Sequence, residues 1–157
     1  MSGETGRFVS GTQVDGSSEV ASLATGAVSA PAPPVQESVA VDPAPLDARL
    51  LGHDRLRAVR AYGQDVPLED VPPLDLITCD AVLAPALTAS LLRRFAPRLL
   101  PGGRVIVSVK LRPRHDPLEE VRALAALLAP DLALERARHL RANRREVTAF
   151  LRAAGPP

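Results

Sequence analysis

Lysine is almost missing from this chain. Lys and Arg together number 19, and Lys110 is the single lysine among them. Tryptophan is absent and aromatics make up only 3% of residues. A core must therefore be built from Leu, Val, Ala and Ile, and the hydrophobic fraction of 46% is enough for one. The one cysteine, Cys79, excludes an intrachain disulfide and fits a reducing compartment. His53, His115 and His139 are scattered without ligand spacing, so no metal site is expected. No apolar run approaches the roughly 20 residues of a membrane span. The start, MSGETGRFVSGTQ, lacks a basic segment followed by an apolar one, so no signal peptide is expected. At 157 residues the expectation is one soluble, cytoplasmic domain with no membrane partner.

The scarcity of lysine gives Lys110 chemical interest. Arginine serves wherever only charge is needed, while a lysine can be brought to release a proton by burial and neighbours. Lys110 ends the apolar run Arg104-Val-Ile-Val-Ser-Val-Lys110. An ordinary surface lysine is the competing reading.

Charge is unevenly spread. Residues 1–45 hold one Arg and five acids, a net of −4, and the remainder carries +5. Arginines concentrate at Arg93, Arg94, Arg98, Arg112, Arg114, Arg136, Arg138, Arg141, Arg144 and Arg145. Such a bias is compatible with a phosphate backbone as partner, and equally with a solvated face.

Residues 1–37 are rich in Ser, Gly, Ala, Thr and Pro, hold no sustained apolar period, and read as disordered or loosely packed. A folded domain is expected over 38–153. Strands are predicted at 38–42, 56–60, 74–80 and 104–111, helices at 43–51, 84–99 and 118–128, and a final antiparallel strand pair at 132–139 and 146–152. This alternation gives an α/β fold with a mostly parallel sheet, helices on both faces and a C-terminal antiparallel hairpin. Ligands of open parallel sheets bind beyond the carboxyl ends of the strands. Asp42, Asp80 and Lys110 all fall at such ends.

Three stretches together resemble a known family. They are Asp80 after Leu-Ile-Thr-Cys, Pro101-Gly-Gly ahead of the strand ending Val-Lys110-Leu, and Arg144-Arg-Glu146-Val-Thr on a late strand. The chain resembles the FtsJ-type ribose 2′-O-methyltransferases. The stretches Ser108–His115 and His139–Thr148 are most similar to the RlmM-type enzymes within that group. The resemblance implies a Rossmann-like methyltransferase fold, S-adenosylmethionine as cofactor, and RNA, ribosomal in the RlmM-type case, as substrate. It also implies catalytic roles for Asp80, Lys110 and Glu146, which match three members of the family's Lys-Asp-Lys-Glu tetrad. The fourth, an upstream lysine, has no counterpart here. Residues 1–37 also read as lacking the family's first strand and Gly-rich loop, so the fold is expected to be N-terminally incomplete. An inactive domain that only binds RNA through its arginines is the alternative.

Three acids are candidates for holding the cofactor. Asp42 fits the acid that accepts from ribose hydroxyls, Asp65 in Gly63-Gln-Asp65 is a candidate near the adenine, and Asp80 follows the third strand. Each has a plainer reading: a helix cap for Asp42, a turn residue for Asp65, a cap or loop residue for Asp80. Glu146 reads equally as an exposed strand residue paired with Arg144 or Arg145.

Overall fold

The computed structural model describes residues 6–10, 37–111, 115–139 and 145–154. Its elements are β1 (Gly6–Ser10), β2 (Glu37–Val41), β3 (Leu56–Val59), β4 (Leu74–Cys79), α1 (Pro85–Phe95), β5 (Leu99–Lys110), α2 (Pro117–Leu128), β6 (Leu132–Arg138) and β7 (Glu146–Ala153). The strands form one sheet in the order β3-β2-β1-β4-β5-β7-β6. All neighbours pair in parallel except β5 with β7 and β6 with β7. The expected mostly parallel sheet with a closing antiparallel pair is therefore present.

Of the incompleteness expected at the N-terminus, the lack of a first strand is corrected. β1 lies in the middle of the sheet, paired on one side with β2 and on the other with β4. Five residues between Ser- and Gly-rich stretches carry almost no periodic signal. The strand forms because β2 and β4 flank a gap in which unpaired backbone groups would be costly. Residues 11–36, including Gly11, Gly16 and Gly26, lie outside the described residues.

A second correction concerns 43–51, expected as a helix and found as turns. Asp42 Oδ1 accepts from the Ala44 N–H at 2.7 Å, and Asp47 Oδ1 accepts from the Arg49 N–H at 2.9 Å. Short acids that capture nearby backbone donors compete with helix formation, and Pro43 and Pro45 reinforce the turn.

The helices start where their sequences direct. Pro117 occupies the first turn of α2, and the Asp116 side chain caps it by accepting from the Leu118 N–H at 2.8 Å. Its buried face is Glu120, Val121, Leu124 and Leu128, while Leu127 is exposed. In α1 the buried face is Thr88, Ala89, Leu92 and Phe95, and Leu87 points to solvent. The helices pack on each other and against β5, β6 and β7. They cover the sheet face carrying Ile77, Val105, Val107, Val109, Ala149 and Leu151. No described helix is long and apolar enough to cross a membrane.

Between α1 and the core of β5 comes Leu99-Leu-Pro-Gly-Gly103. The helix expected over 84–99 ends early: the chain has left α1 at Phe95, and Leu99 to Gly103 belong to β5. Gly102 adopts φ of +77°, and a Cβ on Gly103 would stand 2.8 Å from the Leu100 carbonyl oxygen. Only glycine fits both positions without strain.

Candidate active site

The carboxyl ends of β2, β4 and β5 share one edge of the sheet, because those strands are parallel. β7 is antiparallel to β5, so its first residue comes to that edge. Lys110 and Glu146 are direct partners across this pair. Asp80 follows β4, the neighbour of β5 on its other side. Three chain segments thus bring an amine and two carboxylates together.

Lys110 Nζ donates to Asp80 Oδ1 at 2.7 Å and to Glu146 Oε1 at 2.5 Å. The lysine side chain is 21% exposed, Asp80 46% and Glu146 28%. Burial pushes the ammonium toward releasing its proton; the hydrogen bonds and charges of Asp80 and Glu146 oppose this and prevail, so its pKa lies above the ordinary 10.5. Lys110 is therefore a fixed cation at neutral pH. The two acids that hold it also keep it charged, which decides the direction that the sequence leaves open.

The plainer readings of these three residues are not what the geometry gives. Lys110 is not a solvated surface lysine, and Glu146 is bonded to Lys110. Asp80 precedes α1 by several residues, and α1 begins without a side-chain cap.

Asp42 lies just past β2, half-buried, with one oxygen engaged by Ala44. The cap reading is replaced by a two-residue turn. Asp65 is exposed, in a short 3-10 turn after β3. It makes no side-chain contact with Asp80, Lys110 or Glu146. Asp42, Asp65 and Asp80 follow β2, β3 and β4, strands on either side of the point between β1 and β4 where the strand order reverses, which is where such sheets hold ligands. This row of carboxylates fits the hydroxyl and amino donors of a nucleoside.

Sequence reasoning missed Glu120. It is 2% exposed, with Oε1 3.2 Å from Nδ1 of His115, at the start of α2 just beyond the Lys110 strand. Its acidic character in a helix's first turn reads as ordinary dipole compensation. Only the packing of α2 reveals its burial.

The arginine excess also needs revision. Arg94 donates to the Val66 carbonyl at 2.7 Å and Arg98 to that of Val71, tying the connection between β3 and β4 to the far end of α1. Arg93 pairs with Asp131 at 3.0 Å. These three are structural and sit toward the amino-terminal edge of the sheet. Arg112, Arg114, Arg141 and Arg144 lie outside the described residues. Among the described residues no cluster of His, Cys, Asp or Glu has the arrangement to hold a metal ion.

No family model matches the chain and no curated protein matches it. Solved structures do resemble it. Fibrillarin from Aeropyrum pernix, with natively bound S-adenosyl-L-methionine, aligns with a TM-score of 0.61 and 17% identity, over 76% of this chain and 56% of that one. A protein described as a hemolysin, from Streptococcus thermophilus, gives 0.61 and 18%, over 77% and 52%. A variant of the 16S rRNA (adenine(1408)-N(1))-methyltransferase from Catenulisporales acidiphilia gives 0.57 and 17%, over 78% and 74%. The chain spans about half the length of the first two. At these identities the likeness is one of fold, and the chain has the fold of S-adenosylmethionine-dependent methyltransferases.

Proposed function

We propose that this chain is an S-adenosylmethionine-dependent methyltransferase of the FtsJ-like type, acting on a ribose 2′-hydroxyl of RNA, ribosomal RNA in particular. The observation that carries the reading is the ammonium of Lys110 held between Asp80 and Glu146 at the carboxyl edge of a methyltransferase-type sheet. That RNA lies in the cytoplasm is part of the same proposal.

Asp42 and Asp65 would accept hydrogen bonds from the cofactor's ribose and adenine, and Asp80 would border its methyl-bearing end. The cofactor supplies a methyl group on a positively charged sulfur, ready for displacement. Lys110 donates a hydrogen bond to the attacking 2′-oxygen and stabilises the negative charge growing on it. The 2′-hydroxyl proton would pass to the carboxylate pair by a relay in which Lys110 hands one of its own protons to Asp80 or Glu146 as it takes up the hydroxyl's, and so remains a cation. Each positioned charge or proton acceptor of this kind is worth about 10²–10⁴ in rate.

A second reading has its own observation. The FtsJ family's tetrad contains two lysines, and this chain has one. A domain that keeps the fold and binds RNA without transferring methyl is that reading. The two part on one assay. The chain is incubated with methyl-labelled cofactor and unmodified ribosomal RNA, and the RNA is hydrolysed with alkali. The proposal expects label in dinucleotides that resist alkali, as 2′-O-methylation produces. Label only on bases, or binding of RNA with no transfer, overturns it.

A further inference from the structure

We infer that the open face of β5, β7 and β6 is a docking strip for single-stranded RNA that leads to Lys110. The inference rests on the RNA reading above and adds the surface. The face covered by the helices carries Val105, Val107 and Leu151. The opposite face carries the alternate residues, and α1 and α2, the only helices of full length among the described residues, do not lie on it.

Cross-strand register arranges that face in rungs. Arg104 lies opposite Arg152, Ile106 opposite Phe150, Ser108 opposite Thr148, which is buried, and Lys110 opposite Glu146. From the outer strand, Arg136 pairs with Phe150 and Arg138 with Thr148. Climbing the strip from Ile106 to Lys110 takes four residues, about 13 Å of strand. At its lower part a hollow of about 370 Å³ is lined by Arg104, Ile106, Glu135, Arg136 and Phe150.

The chemistry of the strip is that of a nucleic-acid surface. Arg104, Arg136, Arg138 and Arg152 are all exposed. Apart from Glu146, which is held by Lys110, the acid beside them is Glu135, 3.2 Å from Arg152. The side chains of Arg104 and Arg138 make no hydrogen bond or ion pair with any described residue. Like charges placed opposite each other, as Arg104 and Arg152 are, weaken a sheet unless an anion joins them. The Arg136 guanidinium stacks 4.3 Å from the centre of the Phe150 ring. A half-buried aromatic under a planar cation, flanked by free arginines, matches how proteins stack unpaired bases while neutralising phosphates. A duplex would present its phosphates but not its base faces to such a ring.

The test uses the full chain, fluorescence anisotropy with a short labelled single-stranded RNA, and a salt series. In Arg104→Glu/Arg138→Glu, affinity should fall about tenfold or more and the salt slope should shrink by about 1.4, two phosphate contacts' worth on a single strand. The control Arg55→Glu/Arg122→Glu removes the same charge from exposed positions elsewhere and should bind within about twofold of wild type. Phe150→Leu, checked for native circular dichroism, should weaken single-stranded RNA but leave the salt slope unchanged. Equal losses in both charge pairs would overturn the strip while leaving RNA as partner. No binding by wild type would overturn the strip and the RNA reading together, and S-adenosylmethionine binding measured alongside would show whether the methyltransferase reading survives. A shift in sedimentation with no change in RNA affinity would reassign the face to a second copy of the chain.

Discussion

Lys110 and Asp80 are 30 positions apart in the chain and 2.7 Å apart at the sheet edge. The contact exists because β4 and β5 are adjacent parallel strands: Cys79 pairs with Val107, β5 runs on three residues past the end of β4, and the long Lys110 side chain spans that offset to Asp80. Glu146 completes the arrangement from the antiparallel strand on the other side. One cation between two carboxylates is a fixed charge, and the experiments that follow first test its use.

Replacing Lys110 should separate chemistry from folding. Lys110→Met removes the charge that faces the 2′-oxygen, and methyl transfer should fall by about 10²–10⁴. Lys110→Arg keeps the charge but replaces a compact ammonium with a planar group that does not release a proton. It should fall by a similar factor with RNA affinity unchanged. Near-normal transfer in Lys110→Arg would limit Lys110 to electrostatics and remove it from the proton path.

The same residue predicts a pH dependence of stability. Its folded pKa lies above its ordinary value of 10.5, because the hydrogen bonds and charges of Asp80 and Glu146 outweigh burial. The stabilisation is thus fully present below that ordinary value and is lost as pH rises through the folded one. Urea unfolding of wild type and Lys110→Met, followed from about pH 8 to about pH 12, should show a stability gap that narrows at the alkaline end. A gap that widens with pH contradicts the assigned direction.

β1 should be indispensable. A chain beginning at Glu37 lacks the strand that joins β2 and β3 to β4, and exposes two long rows of backbone donors and acceptors. Its urea transition should become broad or vanish. A sharp transition with an unchanged midpoint would mean that the sheet closes without β1.

The turn into β5 should tolerate little. Gly102→Ala places a side chain at φ +77° and should cost about 1–2 kcal/mol. Gly103→Ala drives a Cβ to 2.8 Å from a backbone oxygen and should cost at least as much. Urea midpoints with unchanged slopes would record both losses.

Cys79 should be chemically silent in the folded protein. Burial pushes its thiol pKa up, and it is 3% exposed on the core face of β4. A thiol reagent should react at a rate that tracks unfolding as urea is added. Rapid labelling without denaturant would mean that β4 opens locally. Cys79→Ser should cost about 1–3 kcal/mol for a buried hydroxyl without a good partner.

Much of the fold was legible because its signals are local. Apolar runs of strand length, a proline and an acid ahead of α2, and acidic or basic residues at run ends are all readable within a few positions. Asp80 and Lys110 were identifiable in this way, as was the antiparallel closing pair, whereas Glu146 was pointed to by the family resemblance. β1 was not, since five residues without alternation leave no signal, and only the gap between β2 and β4 calls for a strand there. The helix expected at 43–51 failed for the opposite reason, as side-chain acceptors outcompeted a weak helical pattern.

The sequence by itself determined which groups are present: one lysine, a line of acids at strand ends, arginine for every other cation, and a core of aliphatic side chains. Tertiary structure alone decided what each group does. It fixed Lys110 as a cation by setting two acids against it, spent Arg94 and Arg98 on backbone carbonyls, and left Arg104 and Arg138 exposed on the sheet face opposite α1 and α2. It also buried Glu120 beside His115. The physical reason is range. Propensity and periodicity act over a turn or a strand, whereas the state of a charge depends on whatever the register of distant strands places within a few ångströms of it.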